Sequence, residues 1–82
     1  MITLYGADWC PDCRRSKNLL ARLDVPYEYL QVDSDDDLRD QAVALAGRQS
    51  IPVIVLPDGT VLVEPSDPDL RGALIAQGLA TA

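Results

Sequence analysis

Two cysteines stand where a strand pattern gives way to a helix pattern, and this junction constrains the fold more than any other feature. Apolar residues alternate with their neighbours over residues 2–6, which is typical of a short strand. From Pro11 to Leu23 the apolar residues recur at helical spacing, and proline suits the first turn of a helix. The sequence therefore predicts that Cys10 and Cys13 lie at the amino end of a helix that follows a strand.

The rest of the chain alternates strand and helix patterns and then forms a hairpin followed by a helix. Strands are predicted at residues 27–32, 51–56 and 61–63, with helices after the acidic residues 33–37 and from Ser66 onward. A strand–helix–strand unit requires a parallel strand pair, and the hairpin adds antiparallel strands. We therefore expect an α/β fold in the order βαβαββα, with a four-stranded mixed sheet flanked by helices. One domain would cover residues 1–82.

The acidic stretch 33–37 has two interpretations. As the start of the second helix it would cap free N–H groups and complement the helix dipole. As a calcium loop it would need a central glycine and a distal glutamate, which this segment lacks, so we favour the helix cap. Gly47 is expected to end this helix. The apolar positions that recur within it are Leu38, Ala42, Leu45 and Ala46.

The charge balance excludes several kinds of partner. Thirteen acidic and seven basic residues give a net charge of −6, and Arg14, Arg15 and Lys17 form the largest basic group. Nucleic acid is therefore not an expected partner. No apolar run approaches the roughly 20 residues that span a bilayer, and residues 1–4 lack the features of a secretory signal. We expect a cytoplasmic protein, in a reducing compartment where close cysteine pairs are seldom structural disulfides.

The two cysteines are predicted to have unequal roles. Unpaired N–H groups at the amino end of a helix favour negative charge, so Cys10 is the expected nucleophilic thiolate. Cys13 lies one turn further into the helix and is expected to stay protonated until it resolves a mixed disulfide. Neighbouring charges are expected to have opposite effects on the pKa of Cys10. The basic residues of segment 14–17 would stabilise a thiolate, whereas Asp8 and Asp12 would oppose it.

Other interpretations of the cysteine pair remain. A structural disulfide across so short a loop would contribute only about 2 kcal/mol, and the expected compartment would reduce it. A structural zinc site needs four ligands, which two cysteines without histidine complete only by dimerising or by using carboxylates. A hydrolase of the cysteine–histidine type is excluded because the chain has no histidine to act as the base.

The motif Trp9-Cys10-Pro11-Asp12-Cys13, the element order and the segment Ser50-Ile51-Pro52-Val53 together resemble the glutaredoxin family, whose fold is thioredoxin-like. The resemblance covers nearly the whole chain. It implies that Pro52 is a cis proline facing the cysteines and that Val53 offers its backbone to an extended thiol substrate. The alternative for Pro52 is an ordinary proline at the start of a strand. Further substrate contacts are expected from Trp9, Pro11, Asp12 and Ile51.

Within this family the chain looks most like the mycoredoxin-like members. Three positions depart from the common family pattern: Ala7 replaces a lysine, Asp12 replaces an aromatic residue, and Pro65-Ser66 replaces a Gly-Gly pair. These changes remove features associated with glutathione, which leaves mycothiol as an alternative co-substrate. Ser66 and Asp67 are expected either to bind polar groups of the thiol or only to cap the last helix.

The leading hypothesis is a thiol–disulfide oxidoreductase that reduces disulfides, or mixed disulfides with a low-molecular-mass thiol, and that holds no cofactor or metal. A second hypothesis is a thioredoxin-like electron donor recycled by a flavoprotein reductase. A third is a non-enzymatic module, either a redox sensor or an iron–sulfur carrier that dimerises through Cys10. Pro11 argues against the carrier by analogy, because cluster-binding relatives usually have glycine there. The expected partners are disulfide-containing proteins and a small thiol or reductase, with the protein a monomer.

Alkylation tests the unequal roles of the two thiols. Near neutral pH, iodoacetamide should label Cys10 much faster than Cys13, because only the sulfur at the helix end is favoured as a thiolate. Mass spectrometry of the labelled peptides would follow both rates, with Cys10→Ser as the control. Equal labelling of both cysteines would contradict the assignment.

Overall fold

The chain forms a four-stranded sheet with helices on both faces, which confirms the predicted order. The computed structural model describes residues 1–81. The strands are β1 (Ile2–Gly6), β2 (Tyr27–Gln31), β3 (Val53–Val55) and β4 (Val61–Val63), and the helices are α1 (Pro11–Arg22), α2 (Asp36–Ala46) and α3 (Asp67–Ala76). Within these described residues, no helix combines the length and apolar character needed to cross a membrane.

Strand β1 lies inside the sheet, whose strand order is β2-β1-β3-β4. It pairs in parallel with β2, where Ile2 lies opposite Tyr27, and antiparallel with β3, where Tyr5 lies opposite Val53. The parallel pair requires a crossover, which α1 supplies, and β3 and β4 form the expected antiparallel hairpin. The carboxyl end of β1 therefore leads the chain directly into the segment that holds the cysteines.

Side chains cap the amino ends of α2 and α3. The Asp35 carboxylate accepts the Asp37 N–H at 2.9 Å, and the Ser66 hydroxyl accepts the Asp69 N–H at 3.2 Å. Gly47 ends α2 with φ 77°, a left-handed conformation that glycine adopts without steric cost. The acidic stretch before α2 thus supplies a helix cap, as the sequence predicts.

Alternation along β1 sends its side chains into two cores. Ile2 and Leu4 pack in a cluster that contains residues of α1 and α3, whereas Tyr5 packs on the other face with Ala42 of α2. Each fully buried aliphatic side chain contributes about 1.5–3 kcal/mol. The cluster on the α1 and α3 face consists of Ile2, Leu4, Leu19, Leu20, Val25, Ile54, Leu56, Leu70 and Leu74.

Two details differ from the sequence-based expectation. Strand β3 covers Val53–Val55 instead of residues 51–56, because Pro52 has no N–H to contribute to a strand ladder. Leu45, expected on the apolar face of α2, is 41% exposed. Helix α2 instead turns Ala42 into the core and leaves Val43 half-buried beside it.

Gly6 is a position where the packing leaves no room for a side chain. A Cβ atom there would lie 3.0 Å from the Cys13 sulfur and 3.0 Å from Leu4 Cδ2. Gly6→Ala should therefore lower the free energy of unfolding by about 1–3 kcal/mol. Gly72→Ala is the matched control, because its Cβ meets open space within α3, and it should raise stability by about 0.5–1 kcal/mol. Urea denaturation measures both, and equal effects would refute the packing argument.

Candidate active site

Cys10 is the residue that caps the amino end of α1. Its backbone is extended, with φ −84° and ψ 115°, and its sulfur accepts the Cys13 N–H at 3.2 Å. The Cys10 N–H donates to the Ala7 carbonyl at 3.1 Å, which closes the turn between β1 and α1. The Cys10 sulfur therefore lies at the end of α1 where the helix presents its free N–H groups.

Cys13 has a different environment, although both cysteines are free thiols. Its side chain is completely buried, whereas Cys10 keeps 6% of its surface exposed. Burial is the largest cause and the hydrogen bond with Cys10 the second, and together they raise the pKa of Cys13 to about 12. Gly6 lies directly against this sulfur and admits no larger side chain. Both thiols are thus largely buried, and Cys13 is the more deeply buried of the two.

The segment before β3 forms the other wall of the site. The peptide bond between Ile51 and Pro52 is cis, as the family resemblance implies. The Ile51 carbonyl oxygen lies 4.0 Å from the Cys10 sulfur, and Ile51 packs against the cluster of Ala7, Cys10 and Cys13. The sequence motifs at residues 9–13 and 50–53 therefore meet at Cys10.

Val53, whose backbone contact with a substrate stays a prediction, pairs with a strand on each side. It is completely buried inside the sheet, where β1 lies on one side of it and β4 on the other. A strand residue with neighbours on both sides has no free edge for an added strand. Among residues 1–81, neither the N–H nor the C=O of Ile51 bonds to another backbone group. The backbone groups beside Cys10 that lack a backbone partner among these residues thus belong to Ile51.

The basic residues near the cysteines contact acidic residues or carbonyl groups. Arg15 Nη1 lies 3.1 Å from Asp12 Oδ1, and Lys17 Nζ lies 3.6 Å from Asp8 Oδ1. Arg14 donates to the Asp8 carbonyl oxygen at 2.9 Å. The opposing charges that the sequence places around Cys10 therefore contact each other or backbone carbonyls, and the described polar contacts of the Cys10 sulfur are the Cys13 N–H and the Ile51 carbonyl oxygen.

Tyr29 belongs to this charged network, a role that the sequence analysis missed. Its hydroxyl donates to Asp8 Oδ1 at 2.8 Å, and Lys17 Nζ lies 3.8 Å from the centre of its ring. Burial and the Asp8 carboxylate both raise the pKa of Tyr29. The network fastens the loop before Cys10 to β2. Twenty-one positions separate Tyr29 from Asp8, so no local spacing rule reveals the contact.

Trp9 lies at the rim of the site, with 66% of its side chain exposed. Its indole N–H donates to Asp33 Oδ2 at 3.1 Å, and this bond holds the ring across the gap between the two loops. An exposed aromatic ring held by a hydrogen bond is a suitable contact platform.

Ser66 and Asp67 lie at the amino end of α3. Asp67 Oδ1 lies 3.5 Å from Arg15 Nε, and Arg22 approaches the other carboxylate oxygen at 3.8 Å. Arg15 therefore links Asp67 to Asp12 between the cysteines. The Asp67 Oδ1 atom is buried and accepts no hydrogen bond from the described residues. This oxygen lies close to the redox motif, and its described polar neighbour is Arg15 Nε.

Comparison with known proteins identifies the family. Residues 2–62 match the family described as Glutaredoxin. The chain belongs to the glutaredoxin family. A glutaredoxin from Pseudomonas aeruginosa is 34% identical over 53 residues, which make up 65% of this chain and 63% of that protein. Mycoredoxin 1 from Corynebacterium glutamicum is 33% identical over 66 residues, or 78% of this chain and 80% of that protein.

The fold agrees with this family. The crystal structure of a glutaredoxin from Archaeoglobus fulgidus superposes with a TM-score of 0.78, at 24% identity, over 87% of this chain and 82% of that one. This likeness confirms the thioredoxin-like fold. Members of the glutaredoxin family are thiol–disulfide oxidoreductases. Within residues 1–81 no group of three or more potential metal ligands comes together.

The raised pKa of Cys13 makes stability depend on pH. Unfolded Cys13 loses its proton near pH 9, whereas the folded protein holds it until about pH 12. The unfolded state therefore binds fewer protons in this window, and the free energy of unfolding falls as pH rises from 9 to 12. Between pH 9 and pH 10.5 the loss due to Cys13 should be about 1–2 kcal/mol.

Denaturant titrations of wild type and Cys13→Ser at both pH values isolate this contribution. The free energy of unfolding of Cys13→Ser should fall less between these two pH values than that of wild type, because serine does not ionise in this range. The pKa of Tyr29 is also raised, so Tyr29→Phe is the control that measures the contribution of Tyr29 to the same pH dependence. Identical pH dependence in wild type and Cys13→Ser would overturn the assignment.

Proposed function

We propose that this chain reduces mixed disulfides between proteins and a low-molecular-mass thiol, with Cys10 as the attacking sulfur. The observation that carries the proposal is the unequal pair of thiols at the start of α1. The Cys10 sulfur accepts a helix N–H, while Cys13 is buried with a pKa of about 12. An accessible thiolate next to a protonated thiol is the arrangement that directional disulfide exchange requires.

The first step exchanges one disulfide for another. The Cys10 thiolate attacks the sulfur of the small thiol, a bond forms between these two sulfurs, and the protein–thiol disulfide breaks. The substrate protein leaves as a thiolate that takes a proton from water. Cys10 then carries the small thiol as a mixed disulfide, and no net oxidation has yet occurred.

The second step has two routes. A second small-thiol molecule, as thiolate, can attack the thiol carried on Cys10, which yields the oxidised small thiol and restores the Cys10 thiolate. Cys13 can instead lose its proton and attack the Cys10 sulfur, which releases the small thiol and leaves a Cys10–Cys13 disulfide for an external reductant. The high pKa of Cys13 opposes that deprotonation, so the first route is favoured for small thiols.

Ile51 and Trp9 are the proposed contacts of an extended substrate. The Ile51 backbone N–H and C=O lack backbone partners, and its carbonyl lies beside the Cys10 sulfur. A substrate segment can pair with them as an added strand, which orients its disulfide along the attack direction. Ser66 and the free Asp67 oxygen are the proposed acceptors for hydroxyl or amino groups of the small thiol.

The charges around the site favour mycothiol over glutathione as the small thiol. Glutathione brings two carboxylates, whereas mycothiol has hydroxyl-rich rings and no carboxylate. Ala7 supplies no cation, and Arg48, on the flank beside Pro52, already lies 3.7 Å from Glu64 Oε2. The Glu64 N–H donates to the Pro52 carbonyl at 2.9 Å, and this bond keeps Glu64 next to the site.

The similarity to mycoredoxin 1 over most of both chains supports this choice. A reducing compartment such as the cytoplasm is the proposed location, because the cycle consumes reduced thiol. Each basic side chain that flanks the site is already paired with an acid or a carbonyl. An anionic thiol would therefore have to displace an existing partner, while a neutral thiol would not.

A reduction assay with defined mixed disulfides tests the mechanism. One reporter peptide is coupled to mycothiol or to glutathione, and the matching thiol is supplied as the reductant. Cys10→Ser should lose activity with both, whereas Cys13→Ser should keep the small-thiol route. Wild type should show a higher kcat/KM with mycothiol. Activity in Cys10→Ser would refute the mechanism, and equal kcat/KM for the two thiols would refute the choice of thiol.

Glu64→Gln tests the charge argument separately. Loss of this carboxylate frees Arg48 for a substrate carboxylate, so kcat/KM with glutathione should rise about threefold, as expected for one exposed ion pair. The value with mycothiol should stay unchanged. Glu28→Gln is the matched control, because Glu28 is an exposed residue of the edge strand β2. A similar gain in the control would exclude a specific effect of Glu64.

A further inference from the structure

Cys13 must lose its proton before it attacks the Cys10 sulfur, and its surroundings hinder that loss. Its side chain is completely buried, and burial is the main cause that raises its pKa to about 12. A thiol without contact to solvent needs a proton acceptor within the protein, reached directly or through one water molecule. The route in which Cys13 resolves the mixed disulfide therefore calls for such a group near α1.

The loop between β1 and α1 brings one carboxylate to this region. Gly6 lies against the Cys13 sulfur, and Ala7 packs with both cysteines in one buried cluster. Asp8 follows directly in the chain, and 68% of its side chain is exposed. Asp8 thus joins the segment that covers the Cys13 sulfur to the surrounding water.

The Tyr29 hydroxyl lies between β2 and this carboxylate. Tyr29 pairs with Leu4 of β1 and packs against the core cluster that α1 covers. Its hydroxyl donates to Asp8 Oδ1 at 2.8 Å. Burial and the Asp8 carboxylate raise the pKa of Tyr29, and the charge of Cys13 raises it further. A protonated phenol bound to a carboxylate can give up its own proton and take up another, which makes it a proton relay.

Lys17 holds the phenol and the carboxylate together beside the helix. It lies four positions after Cys13 in α1, so the two side chains are neighbours on one face of this helix. Its Nζ lies 3.6 Å from Asp8 Oδ1 and 3.8 Å from the centre of the Tyr29 ring. One cation therefore fixes both groups next to the helical turn that carries Cys13.

The other acidic groups nearby have different partners. Asp12 also acts on the pKa of Cys13, but its carboxylate contacts Arg15 at 3.1 Å. It directly precedes Cys13, which turns its side chain about 100° away around the helix. Asp33 acts on Tyr29, but its carboxylate accepts the tryptophan indole N–H at 3.1 Å. The carboxylate bonded to the Tyr29 hydroxyl is that of Asp8.

We infer that Tyr29 and Asp8 accept the proton of Cys13 when Cys13 resolves the mixed disulfide on Cys10. The Tyr29 hydroxyl takes the proton, directly or through one water molecule, while its own proton passes to the Asp8 carboxylate. The Cys13 thiolate then attacks the Cys10 sulfur, the Cys10–Cys13 disulfide forms, and the small thiol leaves as a thiolate. Asp8 finally releases the proton to solvent. The inference rests on the proposed function and adds two residues to its second step.

A stopped-flow reaction of the reduced protein with dithiobis(nitrobenzoate) observes the two thiols separately. Attack by Cys10 releases one coloured thiolate and leaves the other bound, and attack by Cys13 then releases the second. Tyr29→Phe should leave the first rate unchanged and slow the second about tenfold to a hundredfold near neutral pH. Asp8→Asn should also slow the second release. Tyr27→Phe is the matched control, because it makes the same change two positions away on the same strand.

The pH profile of the second release distinguishes proton transfer from a structural effect. With a local acceptor, the wild-type rate should change little from about pH 6 to pH 9. In Tyr29→Phe the proton must pass to bulk solvent, so the rate should rise about tenfold per pH unit over the same range. A variant that only packs less well would show a profile parallel to that of wild type, and this result would overturn the inference.

The outcomes separate this inference from the proposed function. If the first release is absent in wild type or persists in Cys10→Ser, the proposed function fails. If both releases occur and Tyr29→Phe matches wild type in rate and pH profile, only the proton-transfer inference fails. Slowing of the second release by Asp12→Asn and not by Tyr29→Phe would assign the acceptor to Asp12 and overturn the inference. Equal slowing by Tyr27→Phe would do the same.

Discussion

The hydrogen bond from the Cys13 N–H to the Cys10 sulfur is the interaction on which the rest of the site depends. It makes a cysteine the cap of α1 and thereby fixes where the helix begins. It also directs the positive end of the helix at one sulfur and leaves the other sulfur one turn inside the protein. Gly6 permits this arrangement, because the end of β1 passes against Cys13 without a side chain.

The side-chain charges near Cys10 act on one another more than on the sulfur. Asp8 contacts Lys17 and Tyr29, and Asp12 contacts Arg15. Exposed pairs of this kind contribute little to stability, about 0–1 kcal/mol each. Their main effect is geometric, since they hold the loop before Cys10 against α1 and β2. The described polar contacts of the Cys10 sulfur are instead with backbone groups, the Cys13 N–H and the Ile51 carbonyl oxygen.

Local patterns were sufficient to predict the element order, the caps at Asp35 and Ser66 and the unequal cysteines, because each depends on residues a few positions apart. The contacts that complete the site join distant segments. Trp9 donates to Asp33, 24 positions further along the chain. Arg15 in α1 contacts Asp67 at the start of α3. No periodicity encodes such pairs. Tertiary packing also decides which face of α2 is buried. Aliphatic residues lie on two neighbouring faces of this helix, so the sequence alone does not show that Ala42 is buried and Leu45 exposed.

Arg15 connects the redox motif at the start of α1 to the start of another helix, α3. It contacts Asp12 between the cysteines and Asp67 at the start of α3. Asp12, between the cysteines, is thus linked through one guanidinium group to Asp67, which is proposed to bind the small thiol. A change at position 12 alters how Arg15 is shared with Asp67. A substitution at Asp12 therefore changes the charge that Arg15 presents to Asp67, although these two carboxylates lie on different helices.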